Sequence, residues 1–239
     1  MNLLTWNVWF GAHQFRPRTA ALIREIVRRR PDVVALQEVT PGLRAILDYE
    51  LAGYTLHGGD SSCGYDVMLL VRGEVRGVDA LELPSEMGRR LLVVELASGL
   101  TVATVHLEST APRVQQRAAQ LALIGPWLAA RAEDACLVGD MNFDDFAATE
   151  SDVLDESYVD VWQAMRAEPG YTVDSTINTM RSDLRGKVQK RIDRVFLRGP
   201  RWRADSIALV GTDPIDIHDT FVSDHFGLTV ELRDASPRM

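Results

Sequence analysis

Apolar stretches that end in a short polar cluster recur along this chain, and their spacing predicts its elements. Residues 2–8 alternate, are rich in Leu, Thr, Trp and Val, and predict a strand. From Pro17 to Arg30, Ala20, Ile23, Ile26 and Val27 fall on one helical face. Pro17 suits the first turn of that helix, and Arg28-Arg29-Arg30 suits its negative C-terminal end. Val33-Val34-Ala35-Leu36-Gln37 then reads as a buried strand that stops at Glu38, and Pro41-Gly42 opens a short helix to about Glu50. Further strands are predicted near 54–57, 65–72, 75–82, 90–97 and 100–106, with Ser98-Gly99 as the hairpin turn between the last two. Val114, Ala118, Leu121, Ile124 and Leu128 set a helix over 113–131, with a kink expected at Gly125-Pro126. After it come a buried strand at 136–139, a short helix at 159–165 and a polar loop at 172–189. Three strands at 192–197, 206–210 and 226–232 complete the set.

Strands outnumber helices, and the helices lie between strands. With no repeat or linker in the chain, this favours one domain over residues 1–239. The expected class is α/β, a four-layer sandwich of two mixed β-sheets packed face to face with helices outside.

Composition changes this picture little. The chain has 239 residues, 46% apolar and 25% charged, an ordinary soluble makeup. No apolar run is long enough to span a bilayer, so no membrane partner is expected. Met1-Asn2-Leu3-Leu4-Thr5 lacks a basic segment and reads as a strand rather than a leader. Cys63 and Cys136 are expected as reduced thiols of a cytoplasmic monomer.

Charge says more. A purely electrostatic nucleic-acid binder is usually basic, so with a net charge of −8 a polynucleotide reading cannot rest on global charge. The distribution is uneven. Between Asp140 and Asp160 there are eight acids and no Lys or Arg. Between Arg181 and Arg194 six bases (Arg181, Arg185, Lys187, Lys190, Arg191, Arg194) face two acids, Asp183 and Asp193. The basic segment is either a local phosphate contact or a solvated loop.

The chemistry lies in the polar clusters: Thr5-Trp6-Asn7, Gln37-Glu38, His106-Leu107-Glu108-Ser109-Thr110, Gly139-Asp140-Met141-Asn142, Arg191-Ile192-Asp193 and Ser223-Asp224-His225. A carboxylate fixed at a strand end, such as Glu38, suits a hard divalent cation, and Asn7 is a candidate amide ligand or orienter beside it. Asp140 and Asn142, two apart, can share one side of an extended segment and serve a water and a phosphoryl oxygen. Gly139 would let the backbone turn close to the substrate. A His beside an anion, as in Asp224-His225, stays protonated near neutrality and can donate to a developing oxyanion. Asp193 is a candidate to orient that ring. His106 ends a strand and is a second candidate imidazole. Each residue alone also has a plain structural reading: a surface acid, a strand-end cap, an Asx turn, a satisfied core histidine.

Together, in this order and spacing, the motifs resemble the endonuclease/exonuclease/phosphatase superfamily over nearly the whole chain. Within it they look most like the tyrosyl-DNA phosphodiesterase branch. Further likeness lies in Val105–Thr110, Tyr158–Trp162, Tyr171–Asp174 with Asn178, and Pro84-Ser85 followed by Arg90-Leu91-Leu92. The resemblance implies a DNase I-like fold and a Mg²⁺- or Mn²⁺-dependent phosphodiesterase. Glu38, Asn7 and Asp224 would serve the metal, Asp140 would activate water, and Asn142 would hold water or phosphate. His225, oriented by Asp193, would stabilise the transition state, with His106 and Ser109 on the phosphate. Arg113 and Asn178 would line the substrate, a single-stranded nucleic-acid end or a protein–DNA adduct. Where that branch carries a Trp after Tyr-Thr, this chain has Val173. An Arg after the Gly-Asp-x-Asn motif gives way to Asp144-Asp145, and an Arg after Glu-Ser-Thr to Ala111. The chemistry is therefore expected to be kept while the substrate wall differs. A phosphatase or phosphodiesterase for a small phosphorylated metabolite or lipid headgroup is the alternative, favoured by the acidic charge. A non-catalytic binding module would call for degraded motifs, and every expected residue type is present.

Overall fold

In the computed structural model the described residues are 1–59, 64–145, 147–181 and 186–236; Cys63, Asp183 and Arg185 lie outside them. In chain order the elements begin β1 (Asn2–Asn7), α1 (Phe15–Arg29), β2 (Val33–Val39), α2 (Pro41–Glu50), β3 (Thr55–Gly58), β4 (Asp66–Val71) and β5 (Val75–Glu82). They continue with β6 (Arg90–Leu96), β7 (Thr101–His106), α3 (Val114–Ala129), β8 (Ala135–Asp140), α4 (Ala148–Ser151), β9 (Val159–Asp160) and α5 (Val161–Met165). The last are β10 (Val173–Asp174), β11 (Gln189–Lys190), β12 (Asp193–Arg198), β13 (Trp202–Val210) and β14 (Gly227–Asp234).

Two six-stranded sheets form, with strand orders β13-β14-β1-β2-β4-β3 and β5-β6-β7-β8-β12-β9. Each has one parallel pair near its centre, β1 with β2 and β7 with β8, among antiparallel neighbours. Alternation along the strands sorts side chains into three apolar layers. Leu3, Val33, Ala35, Val102, Cys136, Val138 and Val195 meet between the sheets. Leu4, Trp6, Val34 and Leu36 pack outward on Leu22 and Ile26 of α1 and Leu43 and Leu47 of α2. Val93, Ala103, Val105 and Leu137 pack outward on Leu121, Ile124 and Leu128 of α3. The result is the expected four-layer sandwich. Among the described residues no helix is long and apolar enough to cross a membrane.

The inter-sheet face carries a gradient. Its residues run Leu3-Thr5-Asn7, Val33-Ala35-Gln37, Val102-Thr104-His106 and Cys136-Val138-Asp140, each apolar first and polar last. Four strand ends thus bring polar groups to one edge of the cleft. Antiparallel β12 contributes from its opposite end, with Asp193 first. Buried Gln37 ties the sheets together below that edge: its Nε2 donates to Thr5 Oγ1 (3.2 Å) in one sheet and Thr104 Oγ1 (3.0 Å) in the other.

Three expectations change. The polar stretch 172–189 is not all loop, because Val173 and Asp174 pair with Lys190 and Gln189 as β10 and β11. The short helix expected at 159–165 is Val161–Met165, because Val159 and Asp160 pair with Leu197 and Phe196 as β9; the helix expected at 113–131 is Val114–Ala129, with Pro126 inside it.

Candidate active site

Glu38 sits in a β-bulge. Strand pairing shifts by one residue between Leu36 and Val39, and Glu38 has φ 61°, a left-handed value rare outside glycine. The bulge holds the carboxylate by two bonds: Asn7 Nδ2 donates to Oε1 (3.1 Å) and the Phe10 N–H to Oε2 (3.0 Å). Asn7 Nδ2 also donates to Asp140 Oδ2 across the cleft (2.9 Å), while the Trp9 N–H donates to Asn7 Oδ1 (3.0 Å). That last bond fixes the amide, so Asn7 presents its NH₂ group, and not its oxygen, to the two acids.

Asp140 is reached through Gly139, whose φ is 134° and where any Cβ would lie 2.0 Å from the Val105 carbonyl oxygen. Only glycine fits there. The second Asp140 oxygen accepts from the Asn142 N–H (2.9 Å). Asn142 has φ 54°, so the segment turns rather than staying extended. The Asn142 side chain donates to the Leu107 carbonyl (3.1 Å) and Ser109 Oγ (3.4 Å), bracing that strand end. Burial, and then the Asp193 charge, push the Asp140 carboxyl up to about 7.

His225 and Asp193 form a buried pair, Nδ1 to Oδ2 at 2.8 Å. Burial alone would lower the imidazole pKa, but the Asp193 and Asp224 charges outweigh it and hold it well above 6.5. The backbone here is pinned at three points. Trp6 Nε1 donates to the His225 carbonyl (2.9 Å), Ser223 Oγ to the Asn7 carbonyl (2.6 Å), and Asn178 Nδ2 to the Ser223 carbonyl (2.7 Å). Asn178 is buried and braces the Ser223–His225 segment. Asp224 accepts from Arg181 (2.9 Å) and Ser223 Oγ (3.3 Å).

Opposite stands a second imidazole. Arg89 Nη1 lies 3.1 Å from His106 Nδ1. Arginine can only donate, so Nδ1 accepts and the ring proton sits on Nε2. That nitrogen is 3.2 Å from Ser109 Oγ and 3.5 Å from Asp140 Oδ2. Burial first, then Arg89, drive the His106 pKa well below 6.5. Arg89 also donates to Ser109 Oγ (2.8 Å) and the Tyr65 hydroxyl (3.3 Å). Tyr65 in turn stacks on Phe10, rings 4.7 Å apart and 2° from parallel. The Arg113 guanidinium is directed away, in a bidentate pair with Glu86 (2.8 and 2.6 Å).

Glu38, Asn7, His106, Ser109, Asp140, Asn142, Asp193, Asp224 and His225 thus converge; Asn178 supports them from behind and Arg113 stands apart. Arg89 and Tyr65 are the contributors that sequence reasoning missed. The only signal was a basic pair, Arg89-Arg90, entering a strand. Arg90 turns to Asp66, and the Arg89 partner, His106, is far along the chain. The basic segment also departs from a phosphate-binding patch. Arg191 and Arg194 are buried and pair with Asp145 and Asp160, while Arg181 holds Asp224. Two acids of the acidic stretch thus neutralise two bases of the basic one.

The donor set fits a hard divalent cation. Burial, then the neighbouring Asp224 charge, raise the Glu38 pKa, a penalty that a bound cation would relieve. Polar atoms of Asp140, Asp193 and His225 lie within 4.8 Å of one another, and Asp193 Oδ1 has no partner among the described residues. His225 Nδ1 and Asp193 Oδ2 are spent on each other, which leaves Glu38, with Asp224 beside it, as the better ligand source.

The profile of the Endonuclease/Exonuclease/phosphatase family matches residues 4–225. The chain belongs to this family. It is 28% identical over 242 residues to tyrosyl-DNA phosphodiesterase 2 of Gallus gallus, covering 95% of this chain and 65% of that one. With the Homo sapiens protein of that name it shares 28% over 246 residues, covering 97% and 67%. The chain therefore spans about two thirds of the length of these curated relatives. The solved structure of the Danio rerio enzyme, complexed with single-strand DNA product, matches over 98% of both chains with a TM-score of 0.90 and 25% identity. The site divides by chemistry: an acid and imidazolium side at Asp140, Asp193 and His225, and a clamp in which the Arg89 guanidinium meets the neutral His106 ring and Ser109.

Proposed function

We propose that this protein is a divalent-cation-dependent phosphodiesterase that cleaves a phosphodiester at a nucleic-acid end, with the 5′-phosphotyrosyl bond to DNA as the substrate to test first. One observation carries the reading: at one edge of the cleft the His225–Asp193 pair and the Asp140 carboxylate lie beside the Arg89–His106–Ser109 clamp, with Asp140 Oδ2 3.5 Å from His106 Nε2. Asp140, with a pKa of about 7, takes the proton of the attacking water as its oxygen bonds to phosphorus. The protonated His225 donates to a non-bridging oxygen as charge builds there. Arg89 and Ser109 hold the phosphoryl group by donating to its oxygens, and the ester oxygen departs with the bonding electrons. Glu38 with Asp224 would hold Mg²⁺ or Mn²⁺, which when bound supplies positive charge to the phosphate and the departing oxygen.

A second reading, a small phosphorylated metabolite as substrate, is favoured by the charge pairing: Arg181, Arg191 and Arg194 are engaged with acids of the chain itself. One assay separates the two. Phosphotyrosyl DNA, plain single-stranded DNA and RNA, and sugar and inositol phosphates are compared at equal Mg²⁺, with and without EDTA. Turnover of the DNA adduct that EDTA abolishes and Mg²⁺ restores is expected. Preference for the small phosphates would promote the second reading, and full activity of Glu38→Ala in excess EDTA would end both.

A further inference from the structure

The clamp residue Arg89 reaches the site from a loop, and that loop is fastened by a buried carboxylate with no part in the chemistry above. Glu108 is fully buried, two residues beyond His106 at the end of β7. Its own backbone is fixed from α3: the Glu108 N–H donates to Gln120 Oε1 (2.9 Å), and Arg117 Nη1 donates to its carbonyl (3.2 Å). Arg117 is held in turn by a buried ion pair with Glu150 (2.8 Å). The Glu108 side chain then gathers three donors. Ser85 Oγ lies 2.5 Å from Oε2, the range for a hydroxyl on an ionised carboxylate. The Glu86 N–H donates to Oε1 (3.0 Å), and Gln120 Nε2 to Oε2 (3.3 Å). Gln120 Nε2 also donates to the Pro84 carbonyl (3.0 Å). Residues 84–86 are thereby tied to the strand end that carries His106 and Ser109. The Met87 N–H bonds back to Ser85 Oγ (2.9 Å), and Leu83 N–H to the Arg89 carbonyl (3.1 Å) closes the loop at its base. Arg89 follows directly.

We infer that Glu108 is a positioning residue: it sets the 84–88 loop so that the Arg89 guanidinium meets His106 and Ser109 as a phosphate clamp. The inference rests on the functional reading above for the identity of the bound group. Its physical core is that the donors converging on Glu108 are two N–H groups and a hydroxyl. An amide in place of the carboxylate offers one oxygen and an NH₂, so at least one of the three donors, on Ser85, Glu86 or Gln120, loses its acceptor, and the tie between the loop, the strand end and α3 loosens. Arg89 then loses its register on Ser109.

The test is a double-mutant cycle read twice, by inorganic phosphate affinity from calorimetry and by kcat and KM on the phosphodiester. Glu108→Gln should weaken phosphate binding and kcat/KM by about 10-fold or more, the scale of a lost hydrogen bond to a charged group. Arg89→Ala should do at least as much. In the Arg89→Ala background, Glu108→Gln should add less than about twofold, because the two act through one contact. Ser85→Ala, which removes one donor and leaves the carboxylate, should show the same non-additive pattern at smaller size; it stands in where Glu108→Gln does not fold. Additive losses, or phosphate affinity unchanged in Glu108→Gln and Ser85→Ala, would overturn the inference. Phosphate binding is read without turnover. A wild-type protein that binds phosphate in this pattern but hydrolyses no phosphodiester therefore supports the positioning role and sinks the functional reading alone.

Discussion

His225 and His106 stand at the same edge of the cleft, on different sheets, both with under a tenth of their surface exposed (8% and 3%), yet they are driven to opposite protonation states. Burial pushes both toward neutrality. What differs is the partner on Nδ1. His225 meets a carboxylate, Asp193, with Asp224 next to it, and keeps its proton. His106 meets a guanidinium, Arg89, and stays neutral. Depth therefore does not decide the role of a site histidine; its neighbour does. One imidazole is a charged donor for a developing oxyanion, and the other is a neutral hinge between Arg89, Ser109 and Asp140.

The sharpest way to break this comparison is to remove each ring. His225→Ala should lower kcat by about 10²-fold or more, the cost of losing a preorganised donor to transition-state charge. Asp193→Asn should cost less, because His225 keeps its place while its pKa falls. His106→Ala should raise KM by about 10-fold and leave kcat little changed, since its contacts also exist in the ground state. Steady-state kinetics on the phosphodiester decide it. Equal losses in kcat for the two His→Ala variants would mean that the rings do not divide the labour.

The next test is pH. Activity should rise through about pH 7 as Asp140 loses its proton, and fall on the alkaline side as His225 loses its own, well above 6.5. Asp193→Asn should bring the alkaline limb to lower pH. NMR titration of the two rings reads the directions without turnover: His106 should remain neutral from pH 8 to well below 6.5, and His225 should remain charged through neutrality. The sign for stability follows. His225, raised in the folded state, stabilises most below pH 6.5, and this is lost as pH rises through its folded value. His106, lowered in the folded state, does the reverse: its contribution is present above 6.5 and is lost as pH falls toward its folded value.

The two histidines were not equally legible in the chain. His225 adjoins Asp224 in sequence, and Asp193 lies in a motif of its own, so an acid–imidazole pair was readable before any fold was known. The gradient Cys136-Val138-Asp140 was readable too, because period two puts those residues on one face. The whole His106 environment was not. Arg89 reaches it from a loop 17 residues away, and the stack of Phe10 on Tyr65 joins chain segments 55 positions apart in sequence (65 − 10). Such pairings follow from strand order, which local pattern does not encode. The same limit applies to charge. The acids at 145 and 160 and the bases at 191 and 194 read as two separate stretches, one a possible phosphate patch. Only antiparallel pairing of β12 with β8 and β9 brings them into a single cluster, buried except at Asp145. The left-handed backbone at Glu38 was likewise hidden, since the bulge depends on the register of β4.

The smallest expected effect concerns the outer edge of the His106 side. Phe10 is half exposed (52%) and lies flat on Tyr65, whose other contacts include the Arg89 guanidinium 5.2 Å from its ring. On the His225 side, by contrast, the sequence neighbour Phe226 is buried. An aromatic pair is worth about 0.5–1.5 kcal/mol beyond its buried area, so Phe10→Ala should loosen Tyr65 and raise KM by about 2- to 10-fold. It should leave kcat nearly unchanged, because the Phe10 contact to Glu38 is made by its backbone N–H, which alanine keeps. The substrate should matter as well: an aryl phosphodiester should lose more than an alkyl one if the exposed Phe10 face meets the ester group. A fall in kcat with KM unchanged would place Phe10 with His225, on the side that acts on developing charge, and would erase the division between the two halves of the site.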